Sequence, residues 1–182
     1  MTRLPIALSL ALLPTLLIAA PPPGARWQLA FSDEFDGTSL DTSKWTYRRG
    51  TRFWSDQKPE NVAVSGGMLR LALKKEKSAG LDYTAGGVIS KQEFRYGYYE
   101  ARLKLPRGKG WHTSFWMMKA VDKTPPDHRT QEIDVCEQDS VDPVTYSANF
   151  HIYNRTPRSV PSESTSRTSR KDSISTALTS LQ

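Results

Sequence analysis

The sequence predicts an all-β fold, a sandwich of short strands, and three observations predict it. Apolar residues alternate with polar or small ones in Asn61–Val64, Met68–Leu73 and Tyr98–Leu105, the two-residue period of a half-buried strand. Turn signals separate such runs, at Ser65-Gly66-Gly67, Ala85-Gly86-Gly87 and Pro106-Arg107-Gly108-Lys109-Gly110. From Trp27 to Tyr153 there is no helical pattern of ordinary length and no internal repeat. Short strands spaced this way close into two packed sheets.

The segments are justified in chain order. Residues 1–20 carry Arg3, an apolar run from Leu4 to Leu17 and small Ala19 and Ala20, the pattern of a secretory signal peptide. The run is shorter than the roughly 20 residues of a membrane-spanning helix and contains Pro14, so no membrane association is expected after cleavage. Residues 21–26 open with Pro21-Pro22-Pro23, a stiff extended spacer. Residues 27–154 are the expected folded domain, in which Lys119–Arg129, with Pro125-Pro126, reads as a loop before an acidic strand. Residues 155–182 are nearly half Ser and Thr with scattered Arg and no aromatic side chain. Such a segment has too little apolar surface to offset its ordering entropy and is expected to be disordered.

Charge and cysteine usage narrow the function classes. The formal net charge is +6, and half of it comes from the tail, where five Lys/Arg face two acids. The folded part is therefore close to neutral, and a nucleic-acid partner is not expected. Cys136 is the single cysteine, so no intramolecular disulfide can form and the domain must cohere by packing. Its place in a strand predicts a buried thiol.

The chemistry concentrates in Glu132-Ile133-Asp134-Val135-Cys136-Glu137. Side chains alternate faces along a strand, so Glu132 and Asp134 share one face and Ile133 and Val135 the other. Glu137 falls on the wrong face unless a one-residue bulge near Val135 or Cys136 returns it to the row. Three carboxylates would then line one groove. Charges that close cannot all ionise freely, and one carboxyl held protonated near neutral pH is what a general acid requires. Retaining glycoside hydrolysis uses such a pair, a nucleophile and an acid/base.

Taken together, these residues resemble the catalytic domain of glycoside hydrolase family 16, the concanavalin A-like jelly-roll endo-glucanases and galactanases. The resemblance runs from Trp27 to Asn154 through Phe31-Ser32-Asp33-Glu34-Phe35-Asp36-Gly37, Leu40-Asp41 with Lys44-Trp45, and Pro59-Glu60-Asn61-Val62. It continues through Tyr83–Lys91, Phe94–Arg102, Gly108-Lys109-Gly110, Phe115-Trp116-Met117 and the acidic hexapeptide in its six-residue, bulged form.

The resemblance implies roles. Glu132 would be the nucleophile and Glu137 the acid/base, with Asp134 between them, hydrogen-bonding Glu132 and tuning both. His151, on the neighbouring strand, would assist by contacting the acid/base. Trp116 would form the aromatic floor of the sugar groove, with Trp111, His112, Asn61 and Arg95 as further substrate contacts. No metal ligand or other cofactor is expected, a structural calcium as in some relatives being left open.

Two departures stand out. Many relatives carry Trp and Pro where this chain has His112 and Thr113, with Trp111 one position earlier. The family domain also continues for about another hundred residues where this chain turns into its Ser/Thr/Arg tail. The sandwich is therefore expected to be incomplete, and residues 26–182 expressed alone to be poorly soluble with little hydrolysis.

The function expected is that of a secreted or periplasmic, monomeric retaining endo-β-glycosidase whose substrate is a polysaccharide, a β-1,3- or β-1,3-1,4-glucan. The alternatives are a hydrolase of sulfated galactans (agar or carrageenan) of the same family, a non-catalytic glycan-binding module, or an inactive fragment.

Overall fold

The structure is a computed structural model and describes residues 20–118, 130–142 and 144–153, together with the backbone of 169–170 and 174–175. The expected signal peptide, the loop at Lys119–Arg129 and most of the tail lie outside the described residues. Among those described, regular structure is strand apart from one 3-10 turn, Pro59–Asn61, and no helix is long and apolar enough to cross a membrane.

Short strands build the amino-terminal part. β1 (Trp45–Tyr47) pairs antiparallel with β8 (Val88–Ser90). β2 (Gly50–Arg52) and β3 (Ser55–Gln57) form a hairpin; β3 runs parallel to β7 (Tyr83–Ala85), whose other edge takes β6 (Leu73–Lys74). β4 (Val62–Val64) pairs with β5 (Leu69–Leu71) across Ser65-Gly66-Gly67, where both glycines have positive φ. The strand predicted over Tyr98–Leu105 contracts to β9 (Arg102–Leu103). Alternation alone does not make a ladder, which also needs a neighbour with free backbone groups.

The longest strands come next. β10 (His112–Met118), β11 (Thr130–Asp139) and β12 (Thr145–Tyr153) form an antiparallel sheet with β11 in the middle. Two dipeptides of the tail add to open edges: β13 (Ser169–Arg170) to β12 and β14 (Ile174–Ser175) to β9. The expectation of disorder throughout 155–182 is corrected at these four residues. Edge pairing is a backbone interaction, so a Ser-rich segment without an apolar face can still supply it.

Packing is dense at two places. Trp45 Nε1 donates to Asp33 Oδ2 at 2.7 Å, and its ring meets Phe31 edge-on with centroids 5.3 Å apart. Phe31 in turn meets Phe94 at 5.5 Å, so the first motifs of the family resemblance serve to pin the amino-terminal segment. Gly86 and Gly87 permit the second close approach. A Cβ on Gly86 would lie 2.4 Å from the Asn61 carbonyl oxygen, and one on Gly87 would lie 3.2 Å from Arg48 Cβ and Cδ.

Elsewhere the core is sparse. Among the described residues the buried apolar side chains are Leu40, Val64, Val135 and Cys136. Phe115, Met117, Ile133 and Phe150, on one face of the β10–β11–β12 sheet, are only half-buried. The reading of Cys136 as a buried thiol holds.

Candidate active site

The bulge is present where the acidic hexapeptide requires it. Along β10, Phe115 pairs with Cys136 and Trp116 with Asp134, so Val135 is an extra residue opposite no partner. On the other side Asp134 pairs with Asn149 and Glu137 with Ser147, again one residue more on β11 than on β12. Neither neighbour is bulged at these positions, and each therefore reports the face of its partner. Glu132, Asp134 and Glu137 pair with Met118, Trp116 and Ser114 on β10, and with His151, Asn149 and Ser147 on β12. Both neighbouring sets step by two. The three carboxylates therefore share one face, while Ile133 faces the apolar side with Phe115, Met117 and Phe150.

Each carboxylate has distinct surroundings. The Tyr153 hydroxyl donates a hydrogen bond to Glu132; burial first, then that bond and the nearby negative charges, push the phenol up to about 12. The guanidinium of Arg48 feels the charge of Glu132; its pKa is lowered by burial first and by Arg52 next, with Glu132 opposing the fall. Asp134, 2% exposed, has Oδ2 3.1 Å from His151 Nε2, whereas its Oδ1 is buried with no hydrogen-bond partner. Burial, then Glu137, then Glu132 raise its carboxyl to about 6, against the opposing pull of His151. Glu137 is held at both oxygens. His112 Nε2 lies 3.2 Å from Oε1, and Asn149 Nδ2 donates to Oε2 at 2.9 Å.

Several expected contacts are corrected. His151 reaches Asp134 rather than the expected acid/base, because its register partner is Glu132 and the next carboxylate along the face is Asp134. The imidazole against Glu137 belongs to His112, which the sequence placed among substrate contacts. Asp134 does not hydrogen-bond Glu132; its one bonded oxygen faces His151. Asn61 is 3% exposed, and its Nδ2 donates to Thr84 Oγ1 at 2.8 Å, so it ties the 3-10 turn before β4 to β7 instead of facing solvent. Arg95 is exposed and lies over Tyr96, 5.1 Å from the ring centroid.

The aromatic floor is occupied at the level of side chains. Trp116 stands on the carboxylate face, with the guanidinium carbons of Arg48 and Arg52 at 5.1 and 5.3 Å from its ring centroid. Trp111 precedes β10, and its carbonyl accepts from the Ser140 amide at 2.9 Å.

Sequence reasoning missed Tyr153, Asn149, Arg48 and Arg52. The first two lie two residues either side of His151 and so share its face; strand alternation within β12 could have found them. Nothing local marks the arginines, which arrive from segments remote in sequence, Arg48 from the link between β1 and β2 and Arg52 from β2.

A bulged strand bearing three carboxylates on one face of a β-sheet, with an aromatic ring and cations beside them, is the arrangement that the resemblance to a glycoside hydrolase led the sequence to predict. The family model described as Beta-porphyranase A-D, GH16 domain, matches residues 27–179, past the last motif read in the sequence. The chain belongs to glycoside hydrolase family 16.

It is similar to a Beta-glucanase of Rhodothermus marinus, 31% identical over 146 residues that cover 69% of this chain and 49% of the relative. Beta-porphyranase E of Zobellia galactanivorans is 35% identical over 129 residues, covering 64% of this chain and 44% of the relative. Among solved structures, the laminarinase from Rhodothermus marinus superposes with a TM-score of 0.68 at 25% identity, covering 86% of this chain and 68% of the other. That likeness establishes the jelly-roll fold. The chain spans about half the length, or less, of these two curated relatives.

Proposed function

We propose that the protein is an exported retaining endo-β-glycosidase acting on a polysaccharide. The observation that carries this reading is the bulge at Val135, which brings Glu137 onto the face of Glu132 and Asp134. Both steps of a retaining reaction need two carboxyl groups addressing one glycosidic bond. A buried carboxyl raised by its neighbours also marks a functional cluster.

The mechanism follows from the surroundings. The Glu132 carboxylate attacks the anomeric carbon while Glu137 gives its proton to the glycosidic oxygen, so the carbon–oxygen bond breaks and the leaving saccharide departs neutral. Water then attacks the same carbon. Glu137 takes one of its protons, the bond to Glu132 breaks, and two inversions leave the original configuration. His112 and Asn149 hold both Glu137 oxygens against the face. Tyr153 and Arg48 complement the negative charge of Glu132.

For the substrate we infer a β-1,3- or mixed-linkage β-glucan, supported by the likeness to a named Beta-glucanase and a laminarinase. A second reading, a sulfated galactan, is favoured by Arg48 and Arg52 beside Trp116, because paired guanidiniums suit an anionic sugar. The porphyranase description of the matching family model points the same way. The test, run on a catalytically competent form of the domain, is a product profile on laminarin, lichenan, agarose and carrageenan, with the anomeric configuration followed by NMR. Retained product from one of the four is expected. Inverted product, or no release from any, would end the reading.

A further inference from the structure

The hairpin from β2 to β3 turns through Phe53 and Trp54 alone, since Arg52 pairs directly with Ser55. A two-residue hairpin loop requires positive φ at its first position, where Asn, Asp or Gly is favoured. Phe53 occupies that position with φ of 50°, a conformation that costs a bulky side chain and persists only where something else requires it. Burial is not the compensation. Phe53 is 70% and Trp54 79% exposed, and the two rings stack with centroids 6.0 Å apart at 27°.

The turn is also continuous with the carboxylate face. The Arg52 guanidinium carbon lies 5.0 Å from the Phe53 ring centroid and 5.3 Å from that of Trp116, and Trp116 pairs with Asp134 in the sheet. A single guanidinium therefore bridges the aromatic turn and the groove. Flat exposed rings beside a fork of N–H donors fit one chemistry well: the apolar face of a pyranose ring with hydroxyls at its rim.

We propose that the Phe53–Trp54 turn is a further sugar-binding platform, which grips a distal residue of the same polysaccharide chain as it passes out of the groove across Arg52. This rests on the glycosidase reading above. The turn sacrifices backbone ease for two presented rings, so binding and stability should separate on substitution.

The experiment uses the full chain carrying Glu132→Gln, so that substrate is bound without turnover, in affinity gel electrophoresis through laminarin, lichenan, agarose and carrageenan. Beside it runs the same chain with Phe53→Gly and Trp54→Asn, a pair suited to a turn in which the first position alone has positive φ. Retention on the polysaccharide that the parent binds should weaken about tenfold, while the variant melts at a higher temperature. Equal retention by both proteins would overturn the platform and leave the glycosidase reading intact. A variant that melts lower with unchanged retention would instead make the turn a packing surface for another polypeptide segment. A parent retained by none of the four polysaccharides would overturn both readings.

Discussion

The two ends of the carboxylate row differ in the kind of partner they hold. Glu132 faces a phenol and an arginine: Tyr153, whose hydroxyl is pushed up to about 12 and so remains a donor throughout the neutral range, and Arg48, a cation that does not switch. Glu137 faces an imidazole nitrogen and an amide. An imidazole nitrogen can donate or accept, according to its protonation and tautomer. Fixed donors suit a group that stays anionic until it attacks; a reversible partner suits one that gives and takes a proton. Geometry thus separates two chemically identical side chains, and the predictions below probe that separation.

The largest effect is expected from Glu132→Gln. The amide keeps the shape but not the nucleophile, and turnover by a catalytically competent form of the domain should fall at least about a thousandfold. Steady-state rates on the preferred polysaccharide check this. Next in size is Tyr153→Phe, which deletes one charge-assisted hydrogen bond to Glu132 and should lower kcat about tenfold. Because the nucleophile acts on every substrate, that loss should be similar for polysaccharides and for aryl glycosides with good leaving groups. His112→Ala should behave differently. Acid assistance matters when the leaving group is poor, so the loss should appear with polysaccharide and vanish with a dinitrophenyl glycoside. Equal losses on both substrates would place His112 outside proton transfer.

The smallest effect concerns Asp134 and is read in stability. Its carboxyl is raised from 3.8 to about 6, so between those values the folded protein binds a proton that the unfolded chain releases. Stability from this group is present below about pH 4 and is lost as pH rises through 6. The full shift corresponds to roughly 3 kcal/mol at most. Asp134→Asn removes the titration while leaving an acceptor for His151. Its melting temperature relative to the parent should therefore climb between pH 4 and pH 7, and a pH-independent difference would contradict the burial argument.

Much of the site was legible because strand geometry is periodic. Alternation placed Glu132 and Asp134 together, and the odd step to Glu137 demanded a bulge that both registers contain. What the sequence did not reveal depends on registers and chain crossings. His151 meets Asp134, and His112 takes the place beside Glu137 expected for His151, because which imidazole meets which carboxylate is set by pairing across strands, and pairing is not local. Asn61 looked like a polar contact and is instead a buried tie to Thr84. The fold class was readable from turns and alternation, whereas the extent of single strands was not. Tyr98–Leu105 has the right period, yet a strand forms there at Arg102–Leu103 alone among the described residues, with a single bridge at Tyr99.

The central claim is the assignment of nucleophile and acid/base to Glu132 and Glu137, and chemical rescue tests it most directly. With Glu137→Ala, added azide should restore turnover and yield the glycosyl azide of retained configuration, because the anion attacks a glycosyl-enzyme still formed on Glu132. With Glu132→Gln, azide should give no retained product. Rescue of Glu132→Gln with retention, and none of Glu137→Ala, would reverse the two roles and contradict the account.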